Sequence, residues 1–253
     1  MITLFSDKGS PGCTTAGLSL AMVAGAILIE ADPFGGDLAY RLRRGRQPLP
    51  ETPTLLTAAA LARTTTPDET LLQASHAVGE QARVVPGYGF AEHAASVDWQ
   101  RLASTASHAT VPTVVDVGRA SSASPALPLL ADADLVIPVL RPTMEAFLRV
   151  RDRLQRLLPV IADLRSGPPS VVPLLVVQPR HARSLAADLD DFLASTSSGP
   201  VVHPTAWIAE DAAGAADLYR SQARRGPLMK SAGQAWAALQ ASAPADRDQA
   251  GVS

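Results

Sequence analysis

Residues 5–26 read FSDKGSPGCTTAGLSLAMVAGA. The apolar run ITLFS (2–6) enters this stretch as a strand, and the small and apolar residues from about 14 to 25 leave it as a helix. Between them lies the turn DKGSPG. A strand, a glycine-rich turn and a helix start aim backbone N–H groups at an anion, and the helix dipole adds to their pull. Gly9 and Gly12 permit close approach of the backbone to that anion. Thr14 stands where a hydroxyl at such a helix start meets Mg²⁺. Taken alone, the pattern fits an ordinary strand-to-helix turn equally well.

The neighbouring segments decide between the two. AILIEA (26–31), ARVVPG (82–87), TVVDVG (113–118), DLVIPVL (134–140) and VVPLLVVQ (171–178) read as further strands. Several carry apolar residues at consecutive positions, as strands covered on both faces do. Helical patterns fall at about 14–25, 55–62, 68–76, 98–106, 143–162, 182–194 and 228–241. This alternation predicts an α/β fold of three layers, a mostly parallel central sheet with helices on both faces. Residues 41–80 are rich in Pro and Thr and read as an insertion over one sheet edge. Residues 1–241 form one expected domain, and the polar residues 242–253 an expected disordered tail.

Two carboxylate segments sit at strand ends. LIEADPFGGD places Glu30 and Asp32 after one strand, and TVVDVGR places Asp116 in another. Carboxylates there converge on the crevice where α/β proteins hold ligands. Together with the opening loop, and in this order, the segments resemble the deviant-Walker P-loop ATPases of the MinD and ParA family. That family's loop reads K-G-G-x-G-K-T-T, against Lys8-Gly9-Ser10-Pro11-Gly12-Cys13-Thr14-Thr15. Its second motif, D-x-D-P, is matched by Glu30-Ala31-Asp32-Pro33, and its strand-terminal Asp by Asp116.

The resemblance implies a nucleotide-dependent homodimer that binds ATP and Mg²⁺. Residues 9–15 would hold the phosphates, and Gln178 stands where an Asn commonly faces the base. Lys8 matches the lysine that reaches the partner's phosphates, and Asp32 the residue that orients the attacking water. Thr14 and Asp116 match the magnesium shell. Cys13 departs from the pattern, because the second lysine grips the β/γ-phosphates as a point charge. Its loss, a few kcal/mol of transition-state stabilisation, slows hydrolysis by about two or more orders of magnitude. The implied role is spatial positioning of chromosomes or plasmids, of a division site or of a surface assembly, with an unidentified protein partner. A pseudo-ATPase scaffold is the alternative. A dethiobiotin synthetase-like ligase is disfavoured because it needs the loop lysine.

Composition excludes other classes. The formal net charge is −2, so no bulk attraction to nucleic acid or anionic lipid follows. Arg220, Arg224, Arg225 and Lys230 make a small basic cluster, which leaves non-specific DNA binding possible but not favoured. The residues from 233 onward lack a basic amphipathic face, so membrane anchoring there is not expected. The single cysteine, Cys13, rules out an internal disulfide. A thiol at a helix start raises the question of redox reactivity. The five histidines show no metal-binding spacing. No basic segment precedes the first strand, so a cytoplasmic protein is expected.

Overall fold

The computed structural model describes residues 1–7, 11–45, 47–80, 82–165, 167–222 and 225–244. The expected Lys8, Gly9 and Ser10 contacts, and the tail beyond residue 244, lie outside the described residues.

The sheet begins with β1 (Ile2–Ser6), followed by α1 (Cys13–Ala24) and β2 (Ile27–Glu30). Then come α2 (Leu38–Arg41), a small hairpin of β3 (Arg43–Arg44) and β4 (Gln47–Pro48), α3 (Leu55–Leu61) and α4 (Pro67–Gln73). β5 (His76–Val78) and β6 (Ala82–Val85) lead to α5 (Trp99–His108), β7 (Thr113–Arg119) and α6 (Leu127–Ala131). β8 (Leu135–Leu140), α7 (Met144–Arg165), β9 (Ser170–Val171) and β10 (Leu174–Val177) precede α8 (Ala182–Ala194). The chain closes with β11 (Ala206–Ala209), α9 (Ala212–Tyr219) and α10 (Pro227–Ser242).

Among the described residues the main sheet has nine strands, in the order β11-β10-β8-β1-β7-β2-β6-β5, with β9 beside β8. Its pairings are parallel except that of β5 with β6. The unbroken apolar runs follow from burial on both faces. Leu4 and Leu28 enter a core shared with α1, α9 and α10, whereas their neighbours Phe5 and Ile29 enter a core shared with α3 through α8. Side chains alternate across a strand, so both layers draw on the same run. The three-layer, mostly parallel architecture is the one expected.

The ends of elements are set by local chemistry. Thr54 with Thr57, and Thr66 with Glu69, close capping boxes on α3 and α4. Asp98 and Asp211 accept N–H bonds at the starts of α5 and α9.

Some details differ from the sequence reading. Residues 41–80 are more than an insertion over an edge: Leu55 and Leu71 are fully buried in one core, and β5 is itself the sheet edge. The run 171–178 is two strands, because Pro173 has no N–H for the ladder and separates β9 from β10. Strand β11 and helices α2, α6 and α9 are further elements that periodicity did not reveal.

Candidate functional site

β1 lies between β8 and β7, and β2 pairs with the far side of β7. Glu30 is opposite Asp116 in one ladder and Leu4 opposite Asp116 in the other. This order sets the end of β1, the start of α1, Asp116 and the segment after Glu30 around one crevice. The crevice holds a cavity of about 340 Å³ lined in part by Gly12, Thr14, Asp32, Asp116, Arg41 and Arg119.

Gly12 caps α1 with φ +100°, a left-handed conformation that L side chains rarely adopt. It turns the chain into α1, where Cys13 and Thr14 reach Asp116. The Cys13 thiol donates to Asp116 Oδ1 at 3.2 Å, and the Thr14 hydroxyl donates to Oδ2 at 2.6 Å. The Gly118 N–H donates to Oδ1 at 2.9 Å. Asp116 therefore ties the loop helix to the neighbouring strand. Thr15 Oγ1 bonds the Tyr219 hydroxyl at 2.9 Å, which ties the same helix to α9.

Cys13 is buried, and its burial beside the Asp116 carboxylate raises its pKa well above the usual thiol range. A protonated, enclosed thiol is a poor nucleophile, so the geometry opposes a redox role for Cys13.

Asp32 accepts the Phe34 N–H at 2.9 Å and lies directly against Gly118. A Cβ at Gly118, where φ is +60°, would fall 1.8 Å from Asp32 Oδ2. Only glycine lets this carboxylate occupy the crevice. Burial raises the Asp32 pKa to about 6, with Asp116 adding to the rise and the Phe34 N–H and Arg119 opposing it.

Glu30 has a different place from the one its motif suggests. It is 3% exposed and lines the inner part of the crevice, where backbone N–H groups take up its oxygens. Oε1 accepts the N–H groups of Asp37 at 2.9 Å and Leu38 at 3.1 Å, and Oε2 accepts the Gly87 N–H at 2.8 Å. A Cβ on Gly36 would lie 2.2 Å from Oε2. Glu30 is thus a clamp that fastens the start of α2 to the loop after β6. Its extra methylene, relative to Asp, supplies the reach.

A smaller cavity of about 160 Å³ continues past Gly12 and Thr15 to Val176, Ala209 and Ala212. Gln178 does not line it; its amide donates at 3.4 Å to Oε2 of Glu210, which does. Arg141 pairs with the other oxygen of Glu210. A third cavity, about 310 Å³, lies between Pro11, Phe5, Leu140 and Val150 and is mostly apolar.

The donor set suits Mg²⁺. Thr14 and Asp116 present hard oxygens side by side, and Mg²⁺ is held by one or two carboxylates together with phosphates and water rather than by an all-protein cage. Among the described residues no cluster of three or more His, Cys, Asp or Glu able to hold a metal occurs. Glycine at position 12 and the open N-terminus of the twelve-residue α1 suit phosphate.

Two members of the basic cluster lie in separate places among the described residues. Arg220 faces Asp217 at 3.5 Å, Lys230 borders a separate groove with Arg180 and Arg183, and Arg224 lies outside the described residues. No helix among the described residues is long and apolar enough to cross a membrane.

No family model and no curated protein sequence matches the chain. Solved structures do. A ParA family ATPase from Chlorobium tepidum superposes with TM-score 0.71 at 14% identity, over 93% of this chain and 98% of that one. The cell division ATPase MinD of Pyrococcus furiosus gives 0.63 at 17% identity, over 94% and 100%. The septum site-determining protein MinD of Pyrococcus horikoshii, complexed with Mg-ADP, gives 0.60 at 16%, over 97% and 100%. With nearly the whole chain matched in each, this protein has the fold of the MinD and ParA P-loop ATPases.

Proposed function

We propose that the chain is an ATP·Mg²⁺-binding switch for spatial positioning, with slow or absent hydrolysis. The observation that carries this is the convergence of Gly12, Thr14, Asp32 and Asp116 on one crevice at the start of α1. The fold supports the role, since neighbours in fold are described as cell division, septum site-determining and plasmid partition proteins.

In this reading Gly12 and the N–H groups at the start of α1 cradle phosphate, and Thr14 with Asp116 holds the magnesium shell. Magnesium, when bound, neutralises charge on the β- and γ-oxygens. Asp32 orients water, and its pKa near 6 leaves it ionised at neutral pH. The smaller cavity beside Val176 and Ala209 takes the base, with Gln178 behind Glu210 at its wall. Lys8 reaches across a homodimer to the partner's phosphates. Cys13 supplies no fixed charge where a lysine would, so turnover is slow.

The alternative, a pseudo-ATPase scaffold, has one observation in its favour: Cys13, Thr14 and Gly118 all donate to Asp116, which ties the carboxylate into the protein's own hydrogen bonds. Calorimetry with ATP·Mg²⁺ and ultracentrifugation of wild type and Lys8→Ala decide between them. Binding with turnover far below about 10 s⁻¹, a typical enzymatic value, and dimerisation lost in Lys8→Ala are expected. No binding at millimolar ATP supports the scaffold instead.

A further inference from the structure

The crevice has an anion-binding shape and a surplus of negative charge. Glu30, Asp32, Asp37 and Asp116 line it, and Cys13 is neutral where a lysine is expected. Among the described lining residues the cations are Arg41 and Arg119. They are not equivalent. Arg119 follows Gly118 and spends its field on Asp32, whose pKa it lowers.

Arg41 is placed on the loop side. It ends α2, and its guanidinium carbon sits 4.0 Å above the centre of the Tyr219 ring. That ring bonds Thr15, one residue beyond the Thr14 that faces Asp116. Stacking fixes the plane of the guanidinium and leaves its N–H fork unspent. No carboxylate lies within ion-pair distance of Arg41 among the described residues, although the crevice holds four. The segment carrying it is anchored by Glu30, which takes the Asp37 and Leu38 N–H groups at the start of α2. An exposed arginine held by an aromatic platform, on an anchored turn, sharing the crevice with the start of α1 where Cys13 stands in place of a lysine, has the form of a clamp.

We propose that Arg41 takes over the phosphate grip of the missing loop lysine, closing on the bound polyphosphate from α2. The proposal rests on the nucleotide-binding reading above and names the residue that makes it workable. It relocates the cation from the rigid helix start to the segment between β2 and β3. Arginine suits the task, because its fork pairs with two phosphate oxygens at once and remains charged at every accessible pH.

Calorimetry with ATP·Mg²⁺ and with inorganic tripolyphosphate, on wild type, Arg41→Ala, Arg41→Lys and Arg119→Ala, tests this. A charged hydrogen-bonded contact implies that Arg41→Ala weakens both ligands by about 10- to 100-fold. Arg41→Lys recovers part of the loss, Arg119→Ala loses less, and each variant stays folded without ligand, because Arg41 is exposed and contributes a single stack on Tyr219. Wild-type affinity in Arg41→Ala, or a larger loss in Arg119→Ala, overturns the clamp while leaving nucleotide binding intact. Arg41-dependent binding of tripolyphosphate without ATP binding keeps the clamp and removes the nucleotide. Binding of neither ligand by wild type ends both.

Discussion

Replacing Glu30 by Gln separates charge from shape at the clamp that anchors α2. The carboxylate is 3% exposed, and burial raises its pKa from 4.5 to about 7 against the opposing pull of three backbone N–H groups. A folded pKa above the unfolded one means that the folded state keeps a proton the unfolded chain has released between those values. Stability from this group is complete below about pH 4.5, falls as pH rises through about 7 and is flat above. The shift of about 2.5 units corresponds to roughly 3 kcal/mol at about 1.36 kcal/mol per unit. Glutamine keeps one oxygen for the Asp37 and Leu38 N–H groups but turns an NH₂ toward Gly87. One buried donor left facing another costs about 1–3 kcal/mol. Glu30→Gln is therefore less stable than wild type by about that amount at pH 5, and the gap closes or reverses by pH 7.5. Urea unfolding of both proteins at pH 5, 6 and 7.5 reads this directly. Asp32 titrates in both, so the difference between them isolates Glu30. A gap constant with pH shows that Glu30 does not titrate in this window. Such a constant gap means that the three N–H donors outweigh burial and hold the carboxylate ionised throughout the window.

Gly118→Ala forces a left-handed φ of +60° on alanine and drives its Cβ into Asp32. A loss of at least about 1–2 kcal/mol from the backbone alone is expected, read by urea unfolding. Cys13→Lys replaces a neutral donor on Asp116 with a charge at the start of α1. Tighter ATP·Mg²⁺ binding or faster turnover is expected by calorimetry and phosphate release, and a folded variant unchanged in both shows that the loop no longer has a phosphate-gripping geometry.

The layers of the fold were legible because burial on both faces leaves continuous apolar runs, as at Leu4-Phe5 and Val114-Val115. β11 was not, since AWIA is four residues long and carries no period. The convergence of Thr14 and Asp116 was legible as a motif order. Contacts set by distant partners were not. Tyr219 lies 204 positions from Thr15, and no local pattern announces their bond. Glu30 was legible as a carboxylate but not as a clamp. The signal was present in Gly36 and Gly87, which leave room for its oxygens and expose the N–H groups it needs. The lysine-bearing loop segment 8–10 is described by sequence alone.

The replacement of lysine by Cys13 also changes what the crevice requires of a ligand. A lysine at this position would set a positive charge beside Asp116. The thiol instead gives Asp116 a neutral hydrogen bond, and Thr14 and Gly118 add two more. Hydrogen bonds satisfy the oxygens of a carboxylate but leave its charge in place. The floor therefore stays anionic, with Asp32 and Asp37 close by and two arginines at the walls. A bare triphosphate meets repulsion there that a lysine would have offset. Under the proposed nucleotide reading, Thr14 and Asp116 would hold magnesium arriving with the ligand, and the metal would lower the ligand's own charge. Under the proposed reading, the loss of one fixed charge makes affinity depend on two others, the metal that would arrive with the ligand and the guanidinium that Tyr219 holds at the crevice wall.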